Sequence, residues 1–171
     1  MKKIIETQRL YLRTFTVDDA GLILALNGDP AVTEYTGDGI VDLEQARAVL
    51  TGNILPQYTL FNCGRWAVHL KQSGEFIGWC GLKNRPERQE IDLGYRFLRE
   101  AWGQGFATES AAACLRYGFE TLKLRRIVGR AMPANQGSIQ VLEKIGMRFC
   151  CEEIVDGHSA RIYEAINPFF P

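Results

Sequence analysis

Apolar residues recur along this chain with two periods, and the switches between them mark out the elements. Residues 8–15 alternate, with Leu10, Leu12 and Thr14 on one face and Tyr11 and Phe15 on the other, which predicts a first strand. Thr16 then reads as an N-cap with Asp18 and Asp19 in the first turn, followed by Leu22, Ile23 and Leu26 at helical spacing. A second helix begins at Asp42, carries Leu43, Ala46, Val49 and Leu50 on one face, and fades over 53–56. Residues 65–70 and 75–82, joined by Gln72, Ser73 and Gly74, read as a hairpin. Residues 90–98 alternate strictly: Ile91, Leu93, Tyr95 and Phe97 take one face, and Glu90, Asp92, Gly94 and Arg96 the other. Ala107, Ala111, Leu115, Gly118 and Leu122 then recur at three and four, followed by a strand over 126–132. A helix after Asn135 carries Ile139, Leu142 and Ile145, with Gly146 as its C′ residue. A last hairpin turns through Asp156 and Gly157. These patterns predict seven strands and about four helices in one α/β domain spanning residues 1–171.

Between the strand ending near Leu98 and the helix starting near Phe106 lies Arg99 Glu100 Ala101 Trp102 Gly103 Gln104 Gly105. Two glycines one residue apart permit a tight turn with bare N–H groups facing outward, and the helix behind adds its own unpaired N–H groups and positive dipole end. That combination fits an anion cradle or, equally, a tight turn that holds no ligand. It is not a dinucleotide fingerprint, because Thr108 stands where a third glycine or alanine belongs and no acidic residue follows some twenty positions later. No P-loop and no Gly-X-Ser-X-Gly elbow occurs.

Charge and cysteine content narrow the partners. Twenty basic and twenty acidic residues cancel, so no polybasic surface invites nucleic acid or an anionic membrane. Five cysteines without framework spacing fit a reducing, cytoplasmic setting, with Cys63, Cys80 and Cys114 as small buried hydrophobes. The two histidines, His69 and His158, form no ligand cluster, and no metal is expected. His69 lies within a strand and reads as a satisfied sheet histidine.

The strand Gly94 Tyr95 Arg96 Phe97 Leu98, the loop from Trp102 to Glu109 and the block Asn135 Gln136 Gly137 Ser138 Ile139 through Met147 resemble the GNAT superfamily of acetyl-CoA-dependent N-acetyltransferases. Within it they are most similar to the ribosomal-protein N-terminal (alanine/serine) acetyltransferase branch. The resemblance implies a three-layer α+β fold, with a mixed, mostly antiparallel seven-stranded sheet splayed between strands 4 and 5. It implies that Trp102, Gly103, Gln104, Gly105, Phe106, Ala107 and Thr108 hold the pyrophosphate of coenzyme A. Phe97, Leu98 and Arg99 would then bond pantetheine through backbone groups. Superfamily loops often carry a basic residue before the first glycine, where this chain has Trp102. Backbone, helix dipole and Arg99 are left for charge neutralisation, with Glu100 and Glu109 opposing.

Asn135 serves as an N-cap and, by the resemblance, as a pantetheine or substrate contact; Ser138 is either a tolerated early-helix serine or, as the resemblance implies, the hydroxyl that protonates the departing thiolate. Asp92 and Glu90 are candidate bases or an exposed acidic strand face. The resemblance also implies that Tyr35 and Thr36, in the loop between the first two helices, are acceptor-pocket candidates. The implied partners are acetyl-CoA and an amine, either a protein N-terminus or a small molecule, taken by a monomer or homodimer. A non-catalytic acyl-CoA-binding module is the alternative.

Overall fold

A computed structural model describes residues 1–170. Eight strands form one sheet: β1 (Lys3–Glu6), β2 (Leu10–Arg13), β3 (Gly64–Leu70), β4 (Phe76–Arg85), β5 (Glu90–Phe97), β6 (Arg126–Ala131), β7 (Arg148–Val155) and β8 (His158–Ile166). Their order is β1-β2-β3-β4-β5-β6-β8-β7, antiparallel throughout except between β5 and β6. Five α-helices flank it: α1 (Ala20–Asn27), α2 (Leu43–Val49), α3 (Leu55–Phe61), α4 (Phe106–Glu120) and α5 (Gln136–Lys144).

The eighth strand is β1, which the sequence pattern misses. Its apolar residues Ile4 and Ile5 are adjacent, so they face opposite sides of the sheet and leave no alternation to read. The first predicted strand is also shorter than its pattern. Thr14 and Phe15 leave the β2–β3 ladder, and the Phe15 N–H goes to the Tyr58 hydroxyl at 3.1 Å.

The helix from Asp42 does not fade at 53–56. A π-turn over Leu50–Ile54 carries it into α3, with Pro56 in the first turn. Proline lacks an N–H and its ring crowds the carbonyl four residues back, so the wider turn lets the chain stay helical past it. Elsewhere the punctuation is as read: Asp156 and Gly157 both take positive φ (51° and 80°), and Gly146 has φ 91°.

The sheet separates two apolar layers. On one side Leu12, Trp66, Leu82 and Leu93 pack under α4 and α5 with Ala111 and Leu142. Ala67 and Trp79 meet Ile23, Leu26 and Leu50 of the α1–α3 layer on the other. Cys63, Cys80 and Cys114 are all buried in the first layer. The alternation in β5 therefore has a physical outcome: Leu93 and Phe97 are core, while Asp92, Gly94 and Arg96 face the α1–α3 side.

Candidate functional site

The site begins where β5 and β6 part. They are in register only at Asp92–Val128, and this gap falls between the two segments where the sequence resemblance puts the splay, now the fifth and sixth of eight strands. Successive strand residues offer their backbone groups to opposite edges. The Leu98 N–H donates to the Ile77 carbonyl on β4 at 2.9 Å, so Phe97 and Tyr95 turn theirs toward the gap. Trp102 Nε1 donates to the Phe97 carbonyl at 2.9 Å. The Phe97 N–H and the Tyr95 peptide groups are left facing an opening where no strand receives them. Of the three predicted pantetheine contacts, Phe97 is thus turned to the gap and Leu98 away from it.

Just beyond, Gly103 and Gly105 take φ values of 72° and 81°, and Gly105 is the N-cap of α4 with no side chain capping it. The N–H groups of Phe106, Ala107 and Thr108 consequently have no helical partner, since the first bond runs from the Glu109 N–H to the Gly105 carbonyl at 3.0 Å. These donors, the dipole end and the open backbone of Gly103 suit a diphosphate.

Arg99 is not free to serve that anion. Its guanidinium forks onto Asp29, with Nη2 to Oδ1 at 2.6 Å and Nε to Oδ2 at 3.0 Å. The cation beside the loop is Arg9, which sequence reasoning missed. Arg9 Nη1 donates to the Gln104 carbonyl at 2.9 Å, Nε donates to Glu109 at 2.6 Å, and the guanidinium stacks 4.5 Å from the Phe106 ring centroid. Glu109, expected to repel phosphate, also accepts from the Thr7 hydroxyl and the Arg9 N–H. Burial opposes its ionisation, but these bonds outweigh it and hold the carboxyl below its ordinary range. No local signal reveals Arg9, because it stands a hundred residues from Glu109.

Asn135 Oδ1 accepts from the Ser138 N–H at 3.2 Å, so its capping role is realised, and its amide NH2 has no protein partner among the described residues. The Tyr95 hydroxyl donates to the Ser138 carbonyl at 2.8 Å and lies 3.0 Å from Ser138 Oγ. Burial pushes the Tyr95 phenol far up, so it stays protonated. Ser138 is therefore anchored to the strand that borders the gap.

Asp92 and Glu90 share a face, as expected, but each is occupied. Asp92 is buried, with Oδ1 2.5 Å from Arg65 Nη2 and Oδ2 bonded to Arg85 Nε. Burial alone would raise its pKa; Arg65 and Arg85 overcome that and hold the carboxyl below the usual range. Glu90 binds Arg130 Nη2. The Thr36 hydroxyl donates to Asp38 at 2.6 Å, and Asp38 accepts from Arg96 Nη2 at 3.1 Å, so the Tyr35–Thr36 loop is tied to β5.

His69 lies apart from the gap. Its Nε2 accepts from Arg13 Nε at 3.1 Å while Nδ1–H donates to the Gly74 carbonyl at 2.9 Å. Burial is the main cause holding its pKa below the ordinary value. A depressed folded-state pKa means that the unfolded chain binds the proton more readily. The contribution of His69 is therefore present at neutral pH and is lost as pH falls below about 6.5. Nitrogen-15 NMR should show a neutral Nδ1–H tautomer at pH 6.5, and His69→Gln should flatten the stability-versus-pH curve between pH 5 and 6.5. Full protonation at pH 6.5 would contradict this geometry.

A parted strand pair ahead of an uncapped, glycine-led helix leaves a line of backbone donors open to an extended ligand with an anionic group. The family model described as "Acetyltransferase (GNAT) domain" matches residues 9–148. YkkB of Bacillus subtilis is 36% identical over 151 residues, covering 86% of this chain and 87% of that one. The N-acetyltransferase p20 of Bacillus licheniformis is 32% identical, covering 83% and 80%. Among solved structures, RimL, a ribosomal L7/L12 α-N-protein acetyltransferase in complex with coenzyme A, superposes with TM-score 0.83 at 18% identity, covering 96% and 98%; at that identity it speaks for the fold. The chain belongs to the GNAT family and is an acetyl-CoA-dependent N-acetyltransferase.

Proposed function

We propose that the acetyl group passes directly to a primary amine, held in the gap between β5 and β6, without a covalent enzyme intermediate. The observation that carries this is the parting of the strands immediately ahead of the uncapped α4 terminus. Acetyl-CoA supplies the acetyl group as a thioester. Gly103, Gly105 and the first-turn N–H groups of α4 bind its diphosphate, and Asn135 offers an amide to its pantetheine arm. The Phe97 N–H, turned to the gap, is available to the pantetheine arm or to the acetyl oxygen as it gains charge. The amine nitrogen forms a bond to the acetyl carbon and the carbon–sulfur bond breaks; Ser138, held in place by Tyr95, gives its proton to the leaving thiolate and takes up in its stead the proton that the new amide nitrogen sheds.

Asp92, pinned below the ordinary carboxylate range by two guanidiniums, is poorly suited to accept a proton. An acceptor that needs little help is favoured: an α-amine near pKa 7.8 costs about 1 kcal/mol to deprotonate at pH 7, against roughly 4.6 for a lysine-like amine near 10.4. Protein N-termini and small molecules bearing α-amines both qualify. The test is free-thiol release from acetyl-CoA across a panel of α-amines, ε-amines and polyamines; binding of acetyl-CoA with no release for any acceptor would overturn the reading. Ser138→Ala should lower kcat on the order of 10²-fold, as expected for loss of a general acid, with acetyl-CoA affinity nearly unchanged. Unaltered kcat would remove Ser138 from the proton path.

A further inference from the structure

Of the lysines, Lys83 alone is withdrawn from solvent; Lys2, Lys3, Lys71, Lys123 and Lys144 are exposed. It stands on β4 directly opposite Asp92 of β5. Cross-strand neighbours of opposite charge ordinarily pair, their Cβ atoms lying about 4.5–5.5 Å apart. That pair is not made here, because Asp92 Oδ1 accepts from Arg65 Nη2 at 2.5 Å and Oδ2 from Arg85 Nε. The Lys83 ammonium therefore has two guanidiniums beside it and no carboxylate within salt-bridge distance among the described residues. Glu87, exposed at the β4–β5 turn, is the other acid near it. Lys83 borders a groove of about 380 Å³, within the size range of small-molecule clefts, about 300–1,000 Å³. The wall facing it from the π-turn and α3, built of Asn53, Pro56, Gln57, Leu60 and Phe61, carries no charge. The Gln57 amide is closed onto the Asn84 backbone, Oε1 accepting from its N–H at 2.9 Å and Nε2 donating to its carbonyl at 3.1 Å. Burial, then Arg85 and Arg65, disfavour the ammonium and hold the amine below its ordinary pKa.

This groove is not the gap. Lys83 is level with Asp92, five residues before Phe97, which is roughly 17 Å at strand rise. We propose that Lys83 is a modification site, at which acetyl-CoA from solution acetylates the ε-amine directly, without passing through the gap. The guanidiniums at the groove draw in the anionic thioester, and the uncharged wall leaves the amine without a competing partner. The amine lone pair forms a bond to the acetyl carbon, the carbon–sulfur bond breaks with its electron pair on sulfur, and the proton shed by nitrogen passes through water to the thiolate. An exposed lysine near pKa 10.4 is neutral in only about one molecule in 250 at pH 8, so a setting that favours the neutral amine reacts ahead of it. The product is an uncharged acetamide, which removes a like charge from beside Arg85 and Arg65 and leaves their bonds to Asp92 in place. The site is independent of which amine the gap receives.

The test compares lysines within one protein. The full chain is incubated with millimolar acetyl-CoA at about pH 8, and the acetylated fraction at each lysine is followed by peptide mass spectrometry. Lys3 and Lys71 both pair with Glu6, so the reference is the exposed set Lys2, Lys123 and Lys144. Lys83 should be acetylated about tenfold or more faster than the mean of that set. In urea-unfolded protein the groove and the neighbouring guanidiniums are dispersed, and the advantage should vanish. In folded Gly105→Glu, where a carboxylate occupies the loop ahead of α4, the Lys83 rate should stay within about twofold of wild type, because the gap plays no part. A Lys83 rate no higher than that of the reference set, or an advantage that survives unfolding, overturns the assignment. Loss of the advantage in folded Gly105→Glu also overturns it, since acetylation would then be the work of the gap. Thiol release with the amine panel tests the gap separately, and its failure leaves the Lys83 result standing.

Discussion

Gly105→Glu should abolish measurable acetyl-CoA binding while leaving a folded protein. Gly105 has φ 81°, and a Cβ built there meets only Arg9 Nη2 at 3.4 Å, so a side chain fits in space but strains the backbone. That strain costs roughly 1–2 kcal/mol of fold stability, which a domain of ordinary stability withstands. The carboxylate, by contrast, enters the anion cradle. At about 4 Å from a phosphate in surroundings of effective dielectric near 20, repulsion amounts to about 4 kcal/mol, or roughly a thousandfold in Kd. Gly105→Ala carries the strain without the charge and should lose far less affinity. Calorimetry with circular dichroism separates the two effects, and a Glu variant that binds as tightly as its Ala counterpart would remove the diphosphate from this loop.

Asp92→Ala should destabilise the fold by about 3–5 kcal/mol, because it leaves the Arg65 and Arg85 guanidiniums without their buried counter-ion. Asp92→Asn keeps the shape and some hydrogen bonding and should cost less. If Asp92 were a catalytic base, the order would differ: Asn would eliminate turnover in a fully stable protein. Denaturant melts and specific activity per folded molecule distinguish the roles. The pH dependence has a definite sign. Arg65 and Arg85 hold the folded-state pKa below that of the unfolded chain. The stabilisation is therefore complete above about pH 4 and is lost as pH falls further toward the folded-state value. Asp92→Asn should remove that acid-side loss from the stability profile.

The repeating parts of this molecule were legible because periodicity reports burial directly. The strict alternation of β5 placed Leu93 and Phe97 in the core and Asp92 and Arg96 on the opposite face, and the Gly103–Gly105 spacing marked the loop before α4. What periodicity cannot carry is identity of partners. That Asp92 would be neutralised by Arg65 and Arg85 depends on which strands lie side by side, and Arg65 reaches it across β4 only because Gly81 and Gly94 present no side chains. Arg99 looked available from its place beside the loop, yet Asp29, seventy residues away, claims it. The π-turn ahead of Pro56 was hidden for a different reason: proline in a sequence announces a break, and whether the preceding turn widens instead is decided by the packing of Leu50 and Ile54 against the sheet.

The tie between Arg9, Thr7 and Glu109 makes the amino-terminal hairpin and the glycine loop a single thermodynamic unit. A ligand that binds the loop more tightly when β1 and β2 are docked stabilises that docking by the same factor, and fraying of those strands then lowers its affinity. Amide protons of β1 and β2 thereby become reporters of donor occupancy, although neither strand touches the reacting atoms.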